Sequence, residues 1–229
     1  MARYQDFTVI IPTYNESQNI SQLADSVFAC LPGSKIIVVD DCSTDGTAAA
    51  LSSFSRKPGF SFIERKGAKV KGISASVLDG IRACGTGYFI VMDGDFQHPP
   101  EKLPEIADAL LSGAGLVVAS RRKVDNWAVS RMTISKGAHA LACASLFLSG
   151  RRHDFDLMSG YFGMRRSLAL QANERRVVLP GYKILFDIFK QLPATTAVSV
   201  VQYDFGMRKK GQSKIGARHI AYFLKSLLS

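Results

Sequence analysis

Two aspartates that flank a single glycine, Asp93 and Asp95, follow an apolar run at residues 88–92 that predicts a buried strand. In an extended segment, residues two apart project to the same side, so both carboxylates can converge on one point, and Gln97 could add a neutral oxygen. Such carboxylates hold a hard cation or share a proton. A cation at the carboxyl end of a strand is well placed to bind a diphosphate. A solvated acidic turn is the alternative for an isolated motif of this kind.

Two more loops with polar or acidic residues are expected at the same edge of the sheet. The strand predicted over residues 7–11 leads into residues 12–16, and the strand over 35–39 leads into residues 40–47. Ligands of open α/β sheets bind at this edge, and three such loops in chain order are hard to explain as solvated turns. The sequence has no glycine-rich phosphate-binding motif. Phosphates at this edge would therefore be neutralised by a cation on the Asp pair.

Strand and helix patterns alternate regularly through the first half of the chain. Strands are predicted over residues 7–11, 35–39, 60–64, 88–92 and 116–119, and helices from Ser17 to Cys30, from residues 44–47 onward, over 74–83 and over 101–111. This alternation predicts an α/β fold with a mostly parallel central sheet and helices on both faces. Later segments predict helices over 127–148 and 182–191, and strands over 157–164 and 197–203.

The charge is distributed unevenly along the 229 residues. Residues 1–120 hold 10 Lys/Arg and 13 Asp/Glu, whereas residues 121–229 hold 19 and 6, so the net charges are −3 and +13. A basic half suits nucleic acid, an anionic lipid surface or a phosphorylated substrate. The four cysteines lack metal-ligand spacing and no secretory leader is evident, so we expect reduced thiols in a cytoplasmic protein. No apolar run is long enough to predict a transmembrane helix.

Residues 216–229 predict an amphipathic helix. Its apolar side chains are spaced for one helical stripe. They are Ile220, Phe223, Leu224, Leu227 and Leu228. The stripe either packs against the domain or lies on a membrane between Arg218 and Lys225. The segment could also lead into a membrane helix further along the native chain.

A series of short motifs extends along nearly the whole chain. They are Asp93-x-Asp95-x-Gln97-His98-Pro99-Pro100-Glu101, Ser120-Arg121, Ser130-Arg131, Ser135-Lys136-Gly137, Asp156-x-x-Ser159-Gly160 and Arg208-x-x-x-Gln212-Ser213-Lys214. In this order they resemble the inverting glycosyltransferases of the GT-A fold. Within that family they are similar to the dolichyl-phosphate mannosyltransferase-like and polyprenyl-phosphate glycosyltransferases. Gly94 and the stretch Gly72-Ile73-Ser74-Ala75 depart from the usual pattern, and the second departure affects how the sugar is seated.

The resemblance implies roles for individual residues. Pro12, Tyr14, Glu16, Asp41 and Asp93 would contact the nucleotide of the sugar donor. Asp93, Asp95 and Gln97 would hold Mg²⁺ or Mn²⁺ on its diphosphate. Arg121, Arg131, Ser135, Arg208 and Lys214 would receive the acceptor phosphate. Asp95, Arg121 and Arg131 would be the catalytic residues. For His98, which precedes two prolines, we expect a role in supporting the site.

The resemblance also implies a reaction, a domain organisation and a location. The expected reaction is the inverting transfer of mannose from GDP-mannose to a polyprenyl or dolichyl monophosphate. Residues 1–215 would form a GT-A catalytic domain, with a nucleotide-sugar half at 1–120 and an acceptor half at 121–215. The protein would sit peripherally on the cytoplasmic face of a membrane, with a possible membrane-anchoring partner.

Two alternative functions remain at this point. One is a polyprenyl-phosphate glycosyltransferase that uses a UDP-sugar. The other is a basic nucleic-acid-binding module. We expect no nucleic-acid partner, because the chain has no recognised nucleic-acid motif and empty metal-type carboxylates would repel phosphates.

Overall fold

A computed structural model of the chain describes residues 3–124, 155–172, 177, 179, 181 and 183–205. Their centre is a sheet of seven strands in the order β3-β2-β1-β4-β6-β5-β7. The strands are β1 Phe7–Thr13, β2 Lys35–Asp40, β3 Phe60–Glu64, β4 Tyr88–Val91, β5 Leu116–Val124, β6 Phe162–Arg165 and β7 Val198–Phe205. Strand β6 runs antiparallel to both of its neighbours, whereas the other neighbouring strands are parallel. The predicted, mostly parallel sheet is therefore confirmed.

Helices cover both faces of this sheet. They are α1 Ile20–Cys30, α2 Thr47–Ala50, α3 Ile73–Ala83, α4 Leu103–Leu111, α5 Arg166–Gln171 and α6 Ile184–Phe189, with 3₁₀ turns at Ser52–Phe54 and Pro100–Lys102. No helix within the described ranges has the length and apolar character needed to cross a bilayer.

The alternation of strand side chains explains the two layers. Successive residues of a strand project to opposite faces. In β1, Ile10 packs in one core with α3, α5 and α6, whereas Val9 and Ile11 pack in a second core with α1 and α4. All seven residues of β1 are buried because apolar layers cover it on both sides. The helices predicted on both faces are confirmed.

Several predicted boundaries differ from the structure. Helix α1 begins at Ile20 rather than after Ser17, because residues 17–19 form a turn in which the Asn19 N–H donates to the Glu16 carbonyl at 3.0 Å. Strand β1 continues through Pro12 to Thr13, since its pairing with β2 extends to the end of that strand. The strand predicted over residues 157–164 is only Phe162–Arg165, because residues 157–160 form a turn. Helix α5 has no counterpart in the predicted elements.

Candidate functional site

The loops that follow β1 and β2 lie side by side and are joined by hydrogen bonds. The Asn15 N–H donates to Ser43 Oγ at 2.7 Å, and the Thr44 N–H returns a bond to Asn15 Oδ1 at 2.9 Å. The Glu16 N–H donates to Thr47 Oγ1 at 3.0 Å. Asn15 adopts a positive φ of 55°, a conformation that asparagine tolerates better than most residues. These bonds join residues 14–17 and 41–47 into one rim at the carboxyl edge of the sheet.

Asp45 connects the same two loops. It accepts the Ser17 N–H at 3.0 Å, the Thr47 N–H at 3.0 Å and the Thr47 hydroxyl at 2.6 Å. Burial raises the pKa of Asp45, but the hydrogen bonds from Thr47 and Ser17 outweigh it and lower the pKa to about 2. Asp45 therefore remains ionised at neutral pH and holds the rim together. No motif in the sequence marks Asp45 for this role.

Asp41, a predicted nucleotide contact, belongs to a buried ion-pair network. Its Oδ1 accepts Arg65 Nη1 at 2.6 Å, and its Oδ2 accepts the Gly72 N–H at 2.7 Å. Arg65 also donates to Asp79 Oδ2 and to the Val70 carbonyl, each at 2.8 Å. The pair thus fixes residues 65–72, the loop between β3 and α3, beside the loop that follows β2. Only the position of Arg65 directly after a predicted strand could have marked it in the sequence.

The Asp pair follows β4, but in a turn rather than in an extended strand. Strand β4 ends at Val91, and Phe96 has a positive φ of 65°. Asp95 is 4% exposed and its Oδ1 accepts the Gln97 N–H at 3.0 Å, whereas the Asp93 side chain is 37% exposed. The prediction that an extended backbone aligns the two carboxylates is therefore wrong in its local geometry. The turn instead makes Asp93 the more accessible of the pair.

His98 lies next to Asp93 and is hydrogen-bonded to its backbone. The Asp93 N–H donates to His98 Nδ1 at 2.9 Å, and the imidazole stacks on Tyr161 with ring centroids 4.9 Å apart. Burial lowers the pKa of His98 to about 4, so the ring is neutral at physiological pH. Because Nδ1 accepts a hydrogen bond, Nε2 carries the proton, and it lies 3.7 Å from Asp93 Oδ2. This geometry agrees with the supporting role expected for His98.

The turn that contains Gly160 lies directly beside the Asp93 carboxylate. A Cβ at Gly160 would lie 3.5 Å from Asp93 Oδ1, at ordinary van der Waals contact. Within the described residues, no group of three or more His, Cys, Asp or Glu side chains is arranged to hold a metal. Asp93, Asp95 and Gln97 could hold a cation whose remaining ligands are substrate phosphates and water. Mg²⁺ in phosphate-transferring enzymes is bound in this way, through one or two carboxylates.

Arg121 reaches the site from β5. The pairing of β5 with β7 is interrupted between Arg121 and Lys123, an irregularity that can re-aim a side chain. Arg121 Nε and Nη2 both contact Asp156 Oδ2, at 2.8 and 2.6 Å. Asp156 also accepts the Met158 N–H at 2.9 Å. The same turn contains Gly160, which lies beside Asp93, so this turn contacts both the guanidinium and the Asp pair.

Lys183, which no motif marked in the sequence, also enters the site. It lies immediately before α6, and its Nζ donates to the Met158 carbonyl at 2.7 Å. Burial lowers the pKa of this half-buried lysine, and Arg121 lowers it further, to about 8, although Asp156 and Asp93 act in the opposite direction. The ammonium therefore lies within electrostatic reach of both the acidic and the basic groups of the site.

The remaining predicted site residues divide into two groups. Pro12 is buried at the end of β1, Tyr14 is 45% exposed on the rim, and Glu16 accepts a hydrogen bond from Asn19 Nδ2 at 2.9 Å. These three lie at the carboxyl edge, as expected. The other group falls outside the described residues, and its roles stay predictions. It consists of Arg131, Ser135, Arg208 and Lys214.

Known proteins resemble the chain over most of its length. It is 34% identical over 226 residues to the dolichol-phosphate mannosyltransferase of Pyrococcus furiosus, which aligns 96% of this chain but only 62% of that protein. It is 32% identical over 221 residues to the polyprenol monophosphomannose synthase of Mycolicibacterium smegmatis, with 93% of this chain and 82% of that protein aligned. The chain thus spans less than two thirds of the archaeal relative.

A solved structure shares the fold. Glucosyl-3-phosphoglycerate synthase from Mycobacterium tuberculosis, crystallised with Mn²⁺, UDP-glucose and glycerol 3-phosphate, superimposes with a TM-score of 0.71. The superposition covers 97% of this chain and 77% of that chain at 21% identity, so it supports the GT-A architecture alone. The sequence itself matches the family described as "Glycosyl transferase family 2" over residues 8–171. Since this match covers more than half of the chain, the protein is a glycosyltransferase that belongs to glycosyl transferase family 2.

Proposed function

We propose that the chain transfers mannose from GDP-mannose to the phosphate of a polyprenyl or dolichyl monophosphate, with inversion at the anomeric carbon. One observation carries this proposal: an Asp pair suited to a cation–diphosphate complex lies beside a guanidinium that can receive a second phosphate. Arg121 and Asp93 come together through the turn that contains Asp156 and Gly160. The mannosyltransferase relatives, which align with nearly the whole chain, support the choice of sugar and acceptor.

The two sides of the site would bind the two substrates. Tyr14, Glu16 and Asp41 line the rim where the nucleotide of the donor would bind. Asp93, Asp95 and Gln97 would hold Mg²⁺ or Mn²⁺, and the cation would neutralise charge on the leaving diphosphate. The presence of Mn²⁺ in a neighbour with the same fold supports a divalent ion. Residues 1–120 would thus serve the donor and residues 121–215 the acceptor.

The chemistry needs no protein base. A phosphate monoester dianion is already nucleophilic, so its oxygen can attack the anomeric carbon directly while the bond from that carbon to the diphosphate oxygen breaks. The electron pair of that bond leaves with the nucleoside diphosphate on the opposite face, and the configuration inverts. Arg121, oriented by Asp156, would position the incoming phosphate and stabilise its charge. The chain would therefore contribute to the reaction by positioning the substrates and by stabilising their charge.

A panel of sugar donors tests the proposal. The chain would be incubated with GDP-mannose, UDP-glucose or UDP-galactose and a short polyprenyl phosphate, with and without Mn²⁺ or Mg²⁺, and product would be followed by mass spectrometry. We expect metal-dependent transfer from GDP-mannose. Transfer from a UDP-sugar alone would favour the alternative donor class. Absence of transfer to any polyprenyl phosphate, with transfer to another acceptor, would contradict the proposed acceptor.

Replacing one carboxylate tests the metal assignment. Asp95→Asn keeps an oxygen for the Gln97 N–H but removes the charge that would hold the cation. We expect transfer to fall by about 100-fold or more, because losing electrostatic stabilisation of this kind typically costs about 10²–10³ in rate. Asp25→Asn, at an exposed position on α1, is the matched control and should retain normal activity. Near-normal turnover in a folded Asp95→Asn protein would contradict the metal assignment.

A further inference from the structure

The segment that carries Lys183 connects two parts of the site. Its ammonium donates to the Met158 carbonyl at 2.7 Å, within the turn that orients Arg121. Two residues earlier, the Gly181 carbonyl accepts the Ser74 N–H at 3.0 Å, where the 65–72 loop enters α3. The segment that carries Lys183 therefore contacts two regions. One is the donor-side loop, residues 65–72, where it enters α3, and the other is the acceptor-side turn, residues 156–160. The lysine lies where the two substrates would meet.

The charges of the site favour an anion beside this ammonium. Asp156 accepts hydrogen bonds from Arg121 at Oδ2 and from the Met158 N–H at Oδ1. Asp93 would be neutralised by the divalent cation of the donor complex. The Met158 carbonyl, which accepts the hydrogen bond from Lys183, carries no formal charge. With the donor bound, two protein cations, Lys183 and Arg121, would face the position of the incoming phosphate.

An incoming phosphate dianion needs these cations. It must approach a site that already contains the carboxylates of Asp93, Asp95 and Asp156 as well as a diphosphate. Each of these anions repels it unless a cation compensates the charge, and such repulsion is strong where water is excluded. An ammonium can turn its three N–H donors toward different oxygens, so Lys183 can hold the Met158 carbonyl and a phosphate oxygen together.

We propose that Lys183 is a further substrate-binding residue of this enzyme and that its ammonium binds the acceptor phosphate monoester beside Arg121. The assignment rests on the proposed function, because it takes the acceptor to be a phosphate monoester. Burial lowers the pKa of Lys183, and Arg121 lowers it further. A phosphate bound beside the ammonium would favour its charged form.

Steady-state kinetics of three variants test the assignment. Lys183→Met removes the charge at similar length, Lys183→Arg keeps the charge, and Lys35→Met makes the same change at the opposite edge of the sheet. For Lys183→Met we expect the KM for a short polyprenyl phosphate to rise about 10- to 100-fold, the loss expected for one charge-assisted hydrogen bond. The KM for GDP-mannose should change less than about twofold. Lys183→Arg should recover part of the loss, and Lys35→Met should behave like the unmodified protein.

A direct binding measurement tests the role of Lys183 separately from the proposed function. Isothermal titration of the short polyprenyl phosphate into the GDP- and Mn²⁺-loaded protein measures acceptor affinity without turnover. Unmodified protein that binds the lipid phosphate but transfers no mannose would contradict the proposed function alone. Equal acceptor affinity in the unmodified and Lys183→Met proteins would overturn the role of Lys183 alone. If Lys183→Met does not fold, Lys183→Gln replaces it in the same titration.

The KM values of the variants also decide whether Lys183 binds the acceptor. A rise in the KM for GDP-mannose with unchanged acceptor KM would overturn the proposal and assign the lysine to the leaving diphosphate. Unchanged KM values for both substrates, with a lower unfolding temperature, would also overturn it, because the contact with Met158 would then be structural. A rise in acceptor KM alone, with normal thermal stability, supports the proposal.

Discussion

At the scale of single residues, the site depends on buried charges that hold other charges in place. Arg65 is the clearest case: its side chain is 6% exposed, and it contacts Asp41, whose side chain is 12% exposed, as well as Asp79. A buried ion pair adds little net stability when intact, but removal of one partner leaves an uncompensated charge in a poorly solvated place. Arg65 thus determines whether the donor-side loop keeps its shape.

Arg65→Met should destabilise the fold strongly. We expect the free energy of unfolding to fall by about 3–5 kcal/mol, because Asp41 would remain buried without its cation. The measurement is urea denaturation followed by circular dichroism. Arg82→Met is the control, since Arg82 also pairs with Asp79 but is 52% exposed, and its loss should cost about 1 kcal/mol or less. Similar losses in the two variants would contradict the importance of burial for this network.

At the scale of elements, close packing of α3 on the sheet determines where the donor-side loop, residues 65–72, ends. Gly80 lies inside α3 directly over β1, and a Cβ there would overlap Ile10 Cγ2 and approach Val39 Cγ2 at 3.4 Å. Glycine is normally unfavourable within a helix, by about 1 kcal/mol relative to alanine. Here it allows the helix backbone to approach two strands closely. The start of α3, which follows Gly72, depends on that approach.

Gly80→Ala should therefore be destabilising, although alanine is the better helix former. Overpacking a core costs about 1–3 kcal/mol, which exceeds the gain in helix propensity. Thermal and urea denaturation would measure the change. Gly85→Ala is the matched control, because a Cβ at that loop position meets no heavy atom within 4 Å. A stabilised Gly80→Ala protein would show that α3 can shift away from the sheet at little cost.

At the scale of the whole molecule, positive charge is concentrated in the second half of the chain. Residues 121–229 carry a net charge of +13 against −3 for residues 1–120. A basic surface is attracted to anionic leaflets, by about 1 kcal/mol per Lys or Arg close to the membrane. Residues 216–229 lie outside the described residues, so their amphipathic helix remains a prediction from the sequence. We propose that it helps hold the enzyme on the membrane surface.

Vesicle co-sedimentation tests this proposal. We expect the full chain to bind vesicles that contain anionic lipid, to bind neutral vesicles weakly, and to dissociate at high salt because salt screens surface charge. A chain that ends at Gly216 should bind less, since it lacks Arg218, Lys225 and the apolar stripe. If both chains bind equally and the shorter one melts at a lower temperature, the helix is part of the core.

The sequence by itself determined the strands and helices of the first half of the chain. Buried strands are visible as short apolar runs, and their alternation with helices implies a parallel sheet whose loops meet at one edge. These inferences succeed because they depend on residues that are close in the chain. The cation site at Asp93, Asp95 and Gln97, which follow such a strand, stays a prediction. The turn at Phe96 was missed because a short strand pattern does not show where extension stops.

Only the tertiary structure decided which distant residues complete the site. The contacts of Lys183 with Met158, of Arg65 with Asp41 and of Arg121 with Asp156 join residues 24–35 positions apart. Nothing in the local pattern distinguishes Lys183 or Arg65 from an ordinary surface cation, and the Ser120-Arg121 motif does not show that Arg121 pairs with Asp156. The antiparallel direction of β6 was equally invisible, because an apolar run has the same pattern in either direction. Such features arise from the packing of separate elements, and the physical reason is that burial and pairing of a charge depend on what the fold brings next to it.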